Sequence, residues 1–487
     1  MAGADSETQP MNAGPFCPPE PRPDRYRWTR RGLKLAGSLV VLLAGLRWWW
    51  GYEANRRLQA EIAGYRAAGQ LVYAHEFDAQ FDAIPDAENA AVLYEQAMNN
   101  LLWPLPSGVS IEEFYENPAT INEKPDDATE LITAHQLALN LVREARSRPQ
   151  CAWSEHPGSL TGQGWWTLGS NQRALAKLLR VTAEYHYRIG DPAEAMRTTH
   201  DLIVYSDAVA ANPMLISTLV GYACRDLAFD FMEDVGAWAD DAGDPGFAAW
   251  SESMKKRSEL EALLAGLLDE QRQSETGVAT LFGERAFALD RLSPGGPGSY
   301  FGTLPPSSIW DRIVAFTTKP VYVLDAVREM QLCTAASLAV QDDSWLTAQK
   351  NFAASDVSPS FLRMLSHPIT LNPYGSSPTT IRGFLKTHYK HLARRRMGVT
   401  ALAIHFFRLD HGRRPDSLDE LVPRYLPVVP LDPFAPDGAT IRYRPDTTPA
   451  LLYSVGVDGT DNNGERLIRE DKRVDATCSD IPFRLGD

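Results

Sequence analysis

The stretch Tyr187-Arg188-Ile189-Gly190-Asp191-Pro192-Ala193-Glu194-Ala195 lies between two helical patterns. Upstream, Leu175, Leu178, Leu179, Thr182 and Tyr185 recur at the spacing of one helix face, and downstream Ala195, Thr199, Leu202 and Ile203 do the same. Gly190 suits the left-handed position just past a helix C-terminus. Pro192 suits the first turn of the next helix, where its missing N–H leaves no intrahelical bond unmade. Two amphipathic helices separated by so short a break fold back on each other as an antiparallel pair. The reading is a mainly α chain built from helical hairpins.

The same punctuation recurs outward from this turn, from Asn55 to Phe352. Ile84-Pro85-Asp86-Ala87-Glu88-Asn89-Ala90-Ala91 starts a helix with Asp86 as its expected N-cap, and Ala91, Tyr94, Ala97, Met98 and Leu101 follow at helical spacing. Leu131 to Arg146 reads as a second amphipathic run. Ile216, Val220, Ala223, Leu227 and Phe231 mark a stripe after Asn212-Pro213, and Met254 to Gln271 reads as a charged, solvent-facing helix. The Gly190 turn resembles that of a tetratricopeptide-like hairpin. No strict period of about 34 residues runs through the chain, so residues 53–380 are expected to form an irregular helical-hairpin body. Leu292 to Ser308 and Ser355 to Thr380 are Gly/Pro-rich loops. Gly296-Pro297-Gly298 is no phosphate-binding loop, because no strand precedes it and Pro297 lacks an N–H.

The N-terminus has a different composition. Residues 1–32 read as a disordered cytoplasmic tail, rich in Pro, Gly and small polar residues at its start. Arg25, Arg27, Arg30, Arg31 and Lys34 then precede the apolar run Leu35 to Leu46, which is followed by Arg47 and Trp48-Trp49-Trp50. Residues 33–52 are long enough to cross a bilayer if Lys34 and Arg47 reach toward the interfaces, where the tryptophans also belong. The cationic excess before the run keeps the N-terminus cytoplasmic and exports the rest across the cytoplasmic membrane. A cleaved signal peptide is the rival reading. No A-x-A-like site follows the run, which favours an uncleaved anchor.

Over 487 residues the net charge is −14, which argues against a nucleic-acid partner, because phosphate binding needs clustered cations. Cys17, Cys151, Cys224, Cys333 and Cys478 are too scattered for a zinc or dithiol motif, and their spacing specifies no disulfide. There is no G-x-S-x-G, H-E-x-x-H or Walker A sequence. His388 and His391 are three apart, the spacing of a possible metal pair. Their neighbours Lys390 and Arg394 to Arg396 are cationic, so a solvated helix face is expected instead.

The last hundred residues carry the most specific pattern. Val399, Leu402, Ala403, Phe406 and Leu409 form a stripe ending at Asp410-His411-Gly412. Ser417 and Glu420 then make a capping box over a short helix. Ile441 to Arg444 and Leu451 to Val455 read as two strands joined through Pro445 to Pro449. Residues 381–487 thus form a small α+β module, a long helix with a β-hairpin or small antiparallel sheet. The order of Gly412-Arg413-Arg414-Pro415, Asp432-Pro433, Tyr453-Ser454-Val455-Gly456-Val457-Asp458-Gly459 and the closing Asp480-Ile481 resembles the globular head of the type II secretion major pseudopilin. The likeness covers Ala401 to Gly464 and the closing pair. It implies a calcium ion held by Asp458 and Asp480, with Asp461 a nearby extra carboxylate and Asn462 and Asn463 in the same loop. Hard oxygens concentrated in a Gly-containing loop suit Ca²⁺, and an Asx-rich surface turn is the competing reading.

Two departures from that family are plain. A helical body separates the apolar run from the head, and Gly37 stands where the family carries a helix glutamate. Ile84 to Ala91 also resembles a segment of large bacterial envelope proteins. The expected function is a membrane-anchored extracytoplasmic scaffold that meets the bilayer through one helix and other envelope proteins through its body. A hydrolase-like envelope enzyme is the alternative.

Overall fold

The computed structural model describes residues 27–102, 104–155, 164–238, 258–292, 309–354, 378–465 and 479–485. The expected tail up to residue 26, and nearly all of the two expected Gly/Pro-rich loops, lie outside these residues. The chain divides into two compact units, Met1–Ala54 and Asn55–Asp487. Among the described residues there are fifteen α-helices, one 3₁₀ turn and a three-stranded antiparallel sheet. The first unit contributes the start of α1 (Arg27–Ala67), a continuous helix. Leu35, Leu39 to Leu43 and Leu46 are all more than half exposed there. This is the one described helix long and apolar enough to cross a membrane.

In the second unit, α2 (Ala74–Asp82) and α3 (Ala90–Asn99) precede three short helices, α4 (Ile111–Glu116), α5 (Thr120–Glu123) and α6 (Pro125–Ala134). Asp86 is not the cap of α3. Asn89 holds that place, its side chain accepting from the Ala91 N–H at 3.0 Å and from Ala152 N at 2.9 Å, so one amide starts the helix and ties down a distant strand of chain. The run expected from Leu131 to Arg146 is two helices, α6 and α7 (Gln136–Ala145). They break at His135, which is fully buried, with Nδ1 2.8 Å from Leu131 O and Nε2 accepting from Leu102 N at 3.1 Å.

The central layer is α8 (Gly164–Arg188), α9 (Pro192–Ala210) and α10 (Leu215–Trp238), each packed on the next. The hairpin turn forms as expected. Gly190 has φ +81°, and Asp191 caps α9 by accepting from Glu194 N at 3.1 Å. The stripe expected on α10 is displaced, because Ala223 is exposed while Tyr222, Cys224 and Arg225 are buried. This helix packs against α8, α9 and three later elements, so it buries most of its circumference and no single face dominates.

The helix expected over Met254–Gln271 is, where described, two: α11 (Ser258–Leu268) and α12 (Glu270–Asp290), with Asp269 capping the second by accepting from Arg272 N. Leu260, Leu263 and Leu267 are buried because α11 packs on the last helix rather than facing solvent. Next, α13 (Ile309–Ala339) pairs with α12 and with α14 (Trp345–Ala354). Finally α15 (Pro378–His411) runs past α10, α11 and α13 to the sheet, ending at Gly412 as the stripe predicts. The 3₁₀ turn Leu418–Leu421 carries the expected capping box. Strands β1 (Arg442–Arg444), β2 (Leu451–Ser454) and β3 (Ile481–Arg484) pair in the order β1-β2-β3, with Leu452 opposite both Tyr443 and Phe483. One contiguous apolar core runs from Ala90 through α8 to α10 and α15 to Leu485.

Candidate functional site

The loop after β2 begins at Gly456, whose φ of +71° lies in the left-handed region. A Cβ there would come within 2.3 Å of Ser479 O, so the closing segment passes directly over a bare backbone. Asp480 arrives with that segment. Its carboxylate accepts from the backbone N–H groups of Asn462 at 3.0 Å and Gly464 at 2.7 Å. Burial raises the Asp480 pKa, and those donors only partly offset it. Asp461 is exposed: Oδ2 accepts from Arg442 Nε at 2.7 Å, and Oδ1 from Asn463 N at 2.9 Å and Tyr453 Oη at 3.2 Å. Partial burial pushes the Asp461 pKa up, but the Asn463 N–H and Arg442 outweigh it and hold the net shift downward. Asp458 is exposed and closes its own turn through Thr460 N at 3.2 Å.

The turn therefore brings Asp461 and Asp480 to its two sides and leaves Asp458 at its outer edge. Asp461 does not fit as a calcium ligand, because its oxygens already hold an arginine, a phenol and a backbone N–H. A guanidinium at 2.7 Å also repels a cation. Among the described residues, no three His, Cys, Asp or Glu side chains converge as a metal-binding group. The clip across the loop is built from hydrogen bonds.

The carboxylate that organises this end of the molecule is Asp432, whose side chain is fully buried. It accepts from Ser454 Oγ at 2.7 Å, Val455 N at 2.8 Å and Phe434 N at 3.0 Å, and Arg442 stands 3.5 Å away. Burial raises its pKa against those donors. Arg442 thus lies between the buried Asp432 and the exposed Asp461. The sequence carries no local signal for this burial, because Asp between prolines is also ordinary turn composition.

A second polar cluster lies between α10 and α15, and here the solvated reading of His388 and His391 fails. Both are buried: α10 packs on this face of α15, and Gln273 and Gly277 of α12 lie against His388. His388 Nδ1 is 2.8 Å from Tyr222 Oη, and the His391 ring stacks on Tyr222 with centroids 4.4 Å apart. Arg225 and Arg395 are buried beside them, and Arg394 pairs with Asp226 at 2.7 Å. Burial, then Arg225, lowers the His388 pKa to about 4 and holds His391 well below its ordinary value. Burial also lowers Arg225 to about 9 and raises Asp226 to about 6.

The two histidines are therefore neutral in the folded chain, whereas the unfolded chain protonates them near pH 6.5. The contribution of His388 is complete above pH 6.5 and is lost as pH falls toward 4, because the unfolded state then binds more protons, and His391 acts in the same direction. Asp226 opposes this below pH 6, with one proton against two. Between pH 7 and 4.5, the full chain is expected to lose on the order of 2–3 kcal/mol more unfolding free energy than His388→Gln. Urea titrations at the two pH values check this; equal losses would mean that His388 is charged or solvated in the fold.

No protein-family model, curated protein or solved structure matches the chain.

Proposed function

We propose that this chain is a membrane-anchored scaffold, with one helix through a bacterial cytoplasmic membrane and the body presented on the outer side to other envelope proteins. The observation that carries the reading is α1. Its apolar run is exposed along its whole length, and Trp48, Trp49 and Tyr52 are exposed at the run's end, where a bilayer interface accommodates amphipathic rings. A run of this kind left in water would cost about 25 cal/mol for each Å² of apolar surface, so a lipid phase is its natural surrounding.

A scaffold is favoured over an enzyme by where the displaced titratable groups lie. His388, His391, Arg225 and Arg395 are all buried among helices, where His388 bonds Tyr222, Arg225 bonds Gln273, Arg395 bonds the Leu267 carbonyl and His391 stacks on Tyr222. The C-terminal segment runs in the order of long helix, 3₁₀ turn, hairpin and closing strand. In this reading the segment is a recognition module on the envelope side.

A phosphatase reporter that works only outside the cytoplasm, fused after Val72, is expected to be active. Neutral replacements of Arg25, Arg27, Arg30 and Arg31 are expected to weaken that activity, because the cationic asymmetry orients the helix. An inactive phosphatase fusion paired with an active cytoplasmic reporter at the same site would reverse the topology.

A further inference from the structure

The turn that carries Asp461 and receives Asp480 also holds the chain's only Asn-Gly pair, Asn463-Gly464. Both residues follow from the backbone there. Asn463 has φ +58° and is the only non-glycine with positive φ among the described residues, a conformation that asparagine tolerates better than most side chains. Gly464 has φ +82°, and a Cβ there would come within 2.3 Å of Leu451 Cδ2. The turn therefore selects a chemically labile dipeptide, a side-chain amide followed by a peptide nitrogen that no side chain shields.

In that chemistry the Gly464 nitrogen attacks Asn463 Cγ. The new N–Cγ bond closes a succinimide ring, the bond from Cγ to the side-chain nitrogen breaks, and ammonia leaves with the proton from the Gly464 N–H. Water then opens the ring at either carbonyl, giving aspartate or isoaspartate. The attack needs the Gly464 N–H released and the backbone free to turn. In the fold that N–H donates to Asp480 Oδ2 at 2.7 Å, while Arg444 Nη1 donates to Asn463 O at 3.4 Å and Asn463 N to Asp461 Oδ1 at 2.9 Å. The peptide unit between the two residues is thus held at its oxygen and at its nitrogen, and a hydrogen bond to a carboxylate is roughly twice as strong as a neutral one. Asp480 is buried and directly precedes β3.

We propose that Asn463-Gly464 is a gated modification site: Asp480 keeps it intact while β3 is docked, and undocking of that segment opens it to deamidation. The change runs one way. Aspartate at position 463 sets a further carboxylate beside Asp461 and Asp480, where like charges repel. Isoaspartate instead lengthens the main chain by a methylene just before the N–H that Asp480 holds. Either product weakens the clip across the loop, so the site records time that the closing segment has spent undocked.

The test incubates the full chain in detergent micelles at neutral pH for days and reads amide-to-acid exchange at Asn463 by peptide mass spectrometry. Folded wild type is expected to convert severalfold more slowly than wild type held in urea. Asp480→Ala, which frees the Gly464 N–H, is expected to approach the urea rate, and Asp480→Asn, which keeps the shape and one acceptor oxygen, to fall between. Thr460→Ala, an exposed change in the same loop, is expected to stay slow. Circular dichroism accompanies each sample, and if Asp480→Ala loses its helical signal, Asp480→Asn carries the comparison. Wild type converting as fast folded as in urea would overturn the proposal, as would folded Asp480 variants that convert no faster than wild type. Thr460→Ala matching Asp480→Ala would also overturn it, since the loop as a whole would then set the rate.

Discussion

Glu184→Ala is expected to destabilise the full chain by about 3–5 kcal/mol, the cost of removing one partner from a buried ionic cluster. The Glu184 side chain is 1% exposed. On successive turns of α8, its carboxylate accepts from Arg180 Nη1 at 2.6 Å and Arg188 Nε at 2.7 Å. Arg180 also reaches Asp234 on α10 at 2.8 Å, so the cluster joins two helices of the central layer. Alanine would leave two largely buried guanidinium groups without their shared acceptor. The double variant Arg180→Met with Glu184→Leu is expected to recover much of the loss, because apolar groups of similar volume replace the charges. Denaturant titration of the three chains checks both statements. A loss under about 1 kcal/mol for Glu184→Ala would mean that water reaches the cluster and screens it.

Asp432→Ala is expected to cost on the order of 4 kcal/mol. The substitution leaves the N–H groups of Phe434 and Val455 unsatisfied in a buried place, each at about 1–3 kcal/mol, and deprives Ser454 and Arg442 of their acceptor. Asp432→Asn should cost about half as much, since one oxygen still accepts. Ser454→Ala removes one donor to Asp432 and also the Oγ that accepts from the buried Gly456 N–H at 3.3 Å, so it should cost about 2 kcal/mol. Amide hydrogen exchange at Val455 and Phe434 separates a local effect from a global one. Asp432→Ala should speed both amides far more than those of α8, and equal acceleration everywhere would contradict a local clip.

The features legible in the sequence are those whose causes are local. The Gly190-Asp191-Pro192 turn, the end of α15 at Gly412 and the Ser417–Glu420 box are each set within a few residues, and all three form as expected. The Asp86 cap failed for a nearby reason. Asn89, three residues on, is the amide that can also hold Ala152 across the fold. The histidine pair was misread for a distant one. Its cationic neighbours imply a solvated face, and only the packing of α10 and α12 shows that partners such as Asp226 and Glu270 draw those charges inward. Among the candidate calcium ligands, the expected pair is Asp458 and Asp480 with Asp461 nearby, and in the fold Asp480 and Asp461 are each held by their own donors. Their donors were invisible, because Arg442 lies nineteen residues from Asp461 and the Asn462 N–H eighteen from Asp480. Strand β3 carries Pro482, which weakens any reading of it as a strand, yet β2 pairs with it in full.

That last strand sets a schedule for folding. Phe483 and Leu485 fill the core beside Leu452 and Ala450, and β3 packs on both α10 and α15, yet it follows α10 by more than two hundred residues. Closing so long a loop is entropically slow, and until β3 arrives the patches of α10 and β2 that it covers stay open. If the chain crosses a membrane as it is made, the body cannot finish folding before its final segment is delivered. A chain cut short before β3 would then carry an open, sticky sheet edge along β2.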